Sequence, residues 1–170
     1  GGGLYRSADG GASWTRANAV PGAIPSVAIA PSNSAVAYAA ISESGVYRTI
    51  DGGDTWSPVG RDAVQALAVD RGRPNVLYGA PQGWEFGALQ SVDGGATWFP
   101  LGSLPRFVRS IMPNATDPTL LYAATDQGIF AFSRSPEPCV ASATALCLNG
   151  GRFRVEVTWL TFDGRGGQGQ

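Results

Sequence analysis

The sequence predicts an all-β fold, a partial β-propeller of about three and a half four-stranded blades followed by the first strand of a second β module. Two observations carry this. Nearly the same eight letters recur at an unvarying interval of 42 residues, as SADGGASW at 7–14, TIDGGDTW at 49–56 and SVDGGATW at 91–98. A fixed period of this size marks a repeat architecture whose units bury their apolar faces against one another rather than within themselves. Between the copies, short runs of Val, Ile, Ala, Leu and Tyr alternate with Gly, Pro, Asn and Ser, four runs to a period. Four-stranded units of roughly 40–45 residues are propeller blades, and helix is expected to be nearly absent.

Each blade is read in turn. GLYRS at 3–7 matches a third strand, so the chain enters mid-blade and the first unit covers about 3–18. The second, 24–60, offers strands at 27–30, 35–41, 45–50 and 55–59, with PSNS at 31–34 as one turn. In the third, 64–102, the order repeats at 65–69, 75–80, 86–92 and 97–101. A fourth, 107–134, has strands at 107–112, 120–125 and 128–133 and then no eight-letter copy. Residues 135–149 form a Pro/Ser/Ala linker. From 150 to 170 a truncated C-terminal β module begins, in which Phe153, Val155, Val157 and Trp159 alternate with Arg154, Glu156 and Thr158 as a strand with one buried face. Propellers close with at least four blades. The remaining blades are therefore expected from the rest of a longer parent chain or from a partner.

The eight letters suit a tight turn between two strands. A short carboxylate such as Asp51 accepts hydrogen bonds from backbone N–H groups two or three residues on, and paired glycines take positive φ without a Cβ clash. The Trp that follows can bury roughly 150–250 Å², an upper estimate of about 4–6 kcal/mol. The pattern resembles the Asp-box, or BNR repeat, Ser-x-Asp-x-Gly-x-Thr-Trp. Its positions are filled by Ser7, Asp9, Gly11 and Trp14, by Thr49, Asp51, Gly53, Thr55 and Trp56, and by Ser91, Asp93, Gly95, Thr97 and Trp98. The first copy departs only in Ser13, where Thr is usual. The resemblance covers roughly 3–134 and implies a structural role for these residues. GVYRT before the box and the PSNS-type turn resemble sialidase, sortilin-type, photosystem II assembly-factor and xyloglucanase blades. TALCLNGGRFRVEVTW resembles the start of a C-terminal module found in secreted bacterial proteins.

Composition narrows the chemistry. All 12 cationic residues are Arg, His is absent, and the net charge is −1. No basic footprint for nucleic acid or anionic lipid exists, and neither is expected as a partner. Without His, Ser-His-Asp hydrolysis and His-based metal catalysis are excluded within these residues. The DGGD run at 51–54 lacks the alternating oxygen ligands and distal Glu of a calcium loop, so no metal and no cofactor is expected. Cys139 and Cys147 read as a disulfide closing a short loop, with free thiols as the alternative. A disulfide implies an extracellular or periplasmic location. No apolar stretch reaches the length of a membrane span, and the opening GGGLYRS is not a signal peptide, so either a leader has been removed or this is an internal piece. Arg-only cations with abundant Ala, Gly and Pro suggest a GC-rich bacterial source.

In an up-and-down blade the box turn, between strands three and four, and the turn between strands two and three lie on opposite faces. Substrate sites in the sialidase and xyloglucanase relatives lie opposite the boxes, which points to the loop before each third strand. There an acid stands two positions before a glycine three times: Glu43, Glu85 and Asp126. Trp84 could stack on a sugar ring, and Arg61 and Arg106, in the connections between blades, belong to the same face. Acids, an aromatic and two cations could bind carbohydrate, or hydrolyse it with two carboxyls roughly 5–9.5 Å apart. Duplication alone also accounts for a recurring acid before a glycine, as turn chemistry. Tyr5, Tyr38, Tyr47, Tyr78 and Tyr122 recur within strands and read as packing, and Arg6 and Arg48, just before the box, as strand-face residues. The resulting expectation is a non-catalytic recognition or interaction scaffold with a carbohydrate or protein partner. A glycoside hydrolase fragment is the alternative.

Overall fold

The computed structural model describes residues 3–18, 20–82, 87–101, 107–117, 119–135, 147–148 and 151–154, and among these it contains strands and turns but no helix. The first sheet has two strands, β1 (Tyr5–Arg6) and β2 (Thr15–Arg16). The second has four antiparallel strands in sequence order: β3 (Ser26–Ile29), β4 (Ala37–Ile41), β5 (Gly45–Thr49) and β6 (Ser57–Gly60). The third repeats this with β7 (Val64–Val69), β8 (Leu77–Pro81), β9 (Leu89–Ser91) and β10 (Phe99–Pro100). The last begins with β11 (Val108–Pro113), β12 (Leu120–Thr125) and β13 (Gly128–Ser135). Among the described residues the strands thus form a two-stranded sheet, two four-stranded sheets and a last sheet whose first three strands carry no box.

Short segments β14 (Cys147–Leu148) and β15 (Gly151–Arg154) extend the last sheet, with β15 antiparallel to β13 through Ser133↔Arg154 and Ser135↔Arg152. The open edge of β13 leaves backbone groups that a neighbouring strand can satisfy. The strand expected to open a second module thus hydrogen-bonds to this sheet at 151–154. Residues 155–170 lie outside the described part.

The core lies between the sheets. Leu4, Ala39, Ile41 and Trp56 cluster where the first meets the second. Between the second and third lie Tyr38, Val46, Leu67, Val69 and Leu77, and between the third and last Tyr78, Ala88, Ile111 and Phe130. Alternation along each strand sends one set of side chains to the preceding sheet and the other to the following one. Both faces of a middle blade are therefore apolar. Tyr38 is fully buried on the forward face of the second sheet, and its hydroxyl donates to the Pro74 carbonyl of the third at 2.9 Å.

All three eight-residue turns are built alike. In the second, Thr55 N–H donates to Asp51 Oδ1 at 2.9 Å, the Thr49 hydroxyl donates to the same oxygen at 2.7 Å, and Gly53 N–H donates to Thr49 Oγ1 at 2.9 Å. The first and third repeat these bonds with Ser7, Asp9 and Ser13 and with Ser91, Asp93 and Thr97. Ser13 thus does the work of threonine. The bond from four residues on, common to all three copies, lies one beyond the expected span, while Asp93 also accepts from Ala96 N–H three residues on at 3.0 Å as expected; the hydroxyl at the first position caps a glycine N–H. Two consecutive positive φ values, 71° and 98° at Gly52 and Gly53, make this path accessible only to glycine at little cost. The indole Nε1 of Trp14, Trp56 and Trp98 then donates to the carbonyl three residues back, at 3.1–3.2 Å.

What differs among the three indoles is cover. Trp56 packs on Leu4 and Ala17 of the first sheet and Trp98 against the second, whereas Trp14 has no preceding sheet among the described residues and is 63% exposed. Sheet contacts at the boxes are also specific. Asn18 Oδ1 accepts from Trp56 N–H at 3.0 Å; 42 residues later stands Gly60, where a Cβ would collide with the Gly95 carbonyl oxygen. Arg6 forms an ion pair with Asp54 of the next box. Arg48 stands one period after Arg6, and one period after Asp54 stands Ala96, which has no acid to offer. Arg48 lies over the Tyr38 ring at 5.8 Å, and its buried Nε has no hydrogen-bond partner.

Two outcomes follow. Ala96→Asp restores the missing acid and should stabilise the protein by about 0.5–1 kcal/mol, an effect that Arg48→Gln abolishes and high salt reduces, measured by urea unfolding. The box carboxylates should also set the acid limit of the fold. Asp9 is lowered to about 2 by bonds from the Ser13 hydroxyl, the Ser13 N–H and the Ser7 hydroxyl, and Asp51 is lowered likewise by Thr55 and Thr49. Asp93 feels burial most, which raises it, but the bonds from Thr97 and Ser91 together outweigh this and lower it. A depressed carboxylate contributes stability that is complete above the unfolded value near 4 and is lost as pH falls through the folded value. Thermal unfolding followed by circular dichroism should show Tm falling between pH about 4 and about 2. In Asp51→Asn, Tm should be lower at neutral pH and that acid limb shallower.

Candidate functional site

The two ends of each sheet are distinguished by backbone hydrogen bonds. At one end the box joins the turn between the first two strands, as Gly52 N–H donates to Ala35 O and Gly94 N–H to Asn75 O, both at 2.9 Å. At the other end the loop before the third strand joins the segment entering the blade, through Ser42 N–H to Ala23 O at 2.8 Å and Gln82 N–H to Ala63 O at 2.9 Å. Glu43 and Asp126 occupy loops of this second kind, and Arg61 follows the fourth strand there. Glu85, Trp84, Arg106 and Cys139 lie outside the described residues, and of Cys147 only the backbone is described.

Glu43 and Arg61 are brought together. An open hollow of about 590 Å³ is lined by Glu43, Ser44, Tyr47, Pro58, Val59, Gly60 and Arg61. Its shape follows from local sequence. Ser44 N–H donates to Ile41 O at 3.1 Å, closing a turn, and Gly45 takes a φ of 86° so close to Gly60 and Arg61 that a Cβ there would collide with the Gly60 carbonyl oxygen. Only glycine lets the loop lie flat against the end of β6. Within that turn Glu43 has a φ of 63°, one of two described non-glycine residues in the left-handed region. An L-residue held there costs about 1–2 kcal/mol. The Glu43 backbone is thus held in the left-handed region at a conformational cost, and its exposed side chain shares the lining of the hollow with Arg61.

Tyr47 is the wall residue that sequence reasoning assigned to packing alone; it is half-buried and contributes both to the core and to the hollow. Its double role was not legible because strand alternation gives direction but not depth. Arg6 and Arg48 are strand-face residues as expected, joined to Asp54 and to the Tyr38 ring. Asp126 is exposed in the last sheet, with the whole third blade between it and Glu43. With stacked sheets about 10 Å apart, the two acids stand on the order of 20 Å from each other. The boxes hold no metal set: among the described residues no group of three His, Cys, Asp or Glu could ligate a cation.

Elsewhere one carboxylate is buried. Asp70, in the turn after β7, accepts from Arg73 Nη2 at 2.6 Å and from the Tyr78 hydroxyl at 3.3 Å. Burial raises its pKa, and the Arg73 bond and charge outweigh that and lower it. Nearby, Arg71 Nη1 donates to Ala115 O of the last sheet at 2.7 Å. These groups tie adjacent turns to one another.

No family model matches the sequence, and no curated protein sequence matches it. Among solved structures the chain is similar to an ancestral GH74 enzyme, with 20% identity and a TM-score of 0.61 over 76% of this chain and 20% of that one. It is also similar to the GH74 enzyme of Niastella koreensis, with 16% identity and a TM-score of 0.51 over 64% of this chain and 21% of that one. YCF48 bound to D1 peptide matches at 18% identity and a TM-score of 0.49, over 65% of this chain and 37% of that one. The chain spans about a fifth of the length of the two GH74 structures. At these identities the likeness is one of fold, and together with the all-β sheet order it makes the chain an arc of a β-propeller.

Proposed function

We propose that this arc is a non-catalytic recognition scaffold of a secreted bacterial protein, and that the hollow between Glu43 and Arg61 holds a polar ligand, a carbohydrate or a peptide segment. The observation that carries this reading is the left-handed Glu43: glycine would suit the turn better, yet a carboxylate-bearing residue stands there, in the lining of an open hollow that Arg61 and Tyr47 also line. A carboxylate acceptor, a guanidinium donor and an aromatic wall suit hydroxyl-bearing or amide-bearing ligands. The disulfide expected between Cys139 and Cys147 and the C-terminal module belong to the same reading, as does the extracellular or periplasmic location.

A hydrolase needs an acid whose pKa is raised toward the working pH. Asp9, Asp51, Asp70, Asp93 and Asp117 are all shifted down, and each serves its own turn or ion pair. The second reading, a fragment of a glycoside hydrolase, is favoured by the likeness to two GH74 enzymes. It would require Glu85 to pair with Glu43 or Asp126, with Trp84 and Arg106 completing the cleft.

An array of immobilised oligosaccharides and short peptides, probed with the whole chain, tests both. Expected is saturable binding without release of reducing sugar, weakened at least about tenfold by Arg61→Ala. Glu43→Gly should weaken binding similarly while raising stability by about 0.5–1 kcal/mol through relief of the left-handed backbone. Sugar release that is lost in Glu43→Gln or Glu85→Gln would establish the hydrolase instead.

A further inference from the structure

One cation lacks the partner that its counterpart in the repeat has. Arg6 and Arg48 stand 42 residues apart, each just before a box, and Asp54 and Ala96 stand at the same interval, each within the box that follows. Where the first sheet meets the second, Arg6 pairs with Asp54 in a hollow of about 240 Å³ whose lining includes Ala8, Thr15 and Gly53. Where the second meets the third, the acid is missing. Among the described residues Arg48 forms no ion pair and no hydrogen bond; its guanidinium carbon lies 5.8 Å from the centre of the Tyr38 ring, and its Nε is buried. The box that follows is nevertheless close by at both joints. A Cβ at Gly53 would stand 3.7 Å from Arg6 Cδ, one at Gly95 3.2 Å from Val46 and 3.5 Å from Val59, and one at Gly94 3.3 Å from the Tyr38 hydroxyl. Val46 and Arg48 share a face of β5 by alternation, and Tyr38 is the register partner of Arg48 on β4. The third box therefore rests on the sheet face that carries Arg48, and the joint opens to solvent at the exposed Ala96.

We propose that Arg48 anchors a docking site for an acidic peptide segment of another protein, whose Asp or Glu carboxylate takes at the second joint the part that Asp54 plays at the first. The repeat itself supplies the chemistry of the occupant, because the matching arginine one period earlier holds a carboxylate carried on a peptide chain. A guanidinium meets a carboxylate with parallel N–H donors, and one already laid on an aromatic ring loses little freedom when it binds. The surroundings favour a peptide over a bare oxyanion or an acidic sugar. Ile50, two residues beyond Arg48 and one period after Ala8 of the first hollow, is 67% exposed and offers an apolar rest for a side chain next to the acid. Ser57, the register partner of Arg48 on β6, is exposed and brings a hydroxyl able to donate to a backbone carbonyl. This site lies at the box end of the second sheet, opposite the Glu43–Arg61 hollow, and does not depend on the ligand proposed there.

The probe is the peptide acetyl-Leu-Asp-Gly-amide, titrated into the intact isotope-labelled chain while NMR follows the Arg48 Nε–H resonance, identified by its disappearance in Arg48→Gln. A saturable shift is expected, with Kd at least about tenfold higher for the peptide in which Asn replaces Asp. Ala96→Asp supplies the acid from within the chain. It should move the same resonance before any peptide is added, raise Tm and weaken peptide binding at least about tenfold, a loss that unfolding cannot explain. Ile50→Ser, at an exposed position, should weaken binding about threefold or more, and Arg109→Gln, at another exposed arginine, should leave it unchanged. Equal binding of the Asp and Asn peptides overturns the proposal, as does binding indifferent to Ala96→Asp or an Arg48 resonance that the peptide does not move. Saturation by sulfate or by galacturonate at lower concentration than by the peptide would make the joint an oxyanion or acidic-sugar site and overturn it likewise.

Discussion

The carboxylate of each eight-residue turn is engaged by the backbone and hydroxyls of its own turn, and the rest of the arrangement depends on that closure. With Asp51 bonded to Thr55 and Thr49, the chain reverses along one path, and the indole that follows emerges in a fixed direction, its Nε1 on the Gly53 carbonyl. Held this way, Trp56 meets Leu4 and Ala17 of the sheet before it. Local hydrogen bonding is thereby converted into the spacing between sheets. Each such bond is worth about 0.5–1.5 kcal/mol net, but together they remove the freedom that would let an indole pack elsewhere. A sequence of three equal turns becomes a row of sheets packed face to face.

Between the layers the contacts are alike in position and unlike in chemistry. Asn18 bonds the backbone of Trp56, while Gly60, one period on, achieves closeness by having no side chain. Arg6 finds Asp54, while Arg48 rests on Tyr38. Repetition conserves the geometry of a joint and leaves its chemistry free to drift, provided each joint stays closed by some means.

Fold class and strand order were legible in the sequence because period, turn residues and alternation all agree, as at 37–41 and 45–49, where expected and observed strands differ by two residues at most. The turn bonds were legible in kind: Asp93 accepts from Ala96 three residues on as expected, and the further bond from the residue four on was not foreseen. The role of Thr49 and its equivalents as glycine caps was missed, although a hydroxyl two residues before an aspartate and four before a glycine is a readable signal. The candidate site was legible only in part. Glu43 and Arg61 do share a hollow, but nothing in the letters ISESG foretells that the glutamate itself takes positive φ, since Gly45 is the residue expected to turn the chain. Nor could spacing reveal the unequal cover of Trp14, Trp56 and Trp98, which depends on what lies behind each sheet rather than on the box itself.

The backward lean of the indole has a consequence for how such a chain matures during synthesis. Trp56 rests on Leu4 and Ala17, and Trp98 on the second sheet, so the second and third boxes find their support in residues already translated. A newly emerged blade can dock at once onto a finished neighbour, leaving a single bare flank to await the next segment. Growth from the N-terminal side thus adds only one new greasy surface with each blade, which limits off-pathway clumping while the ribosome is still at work.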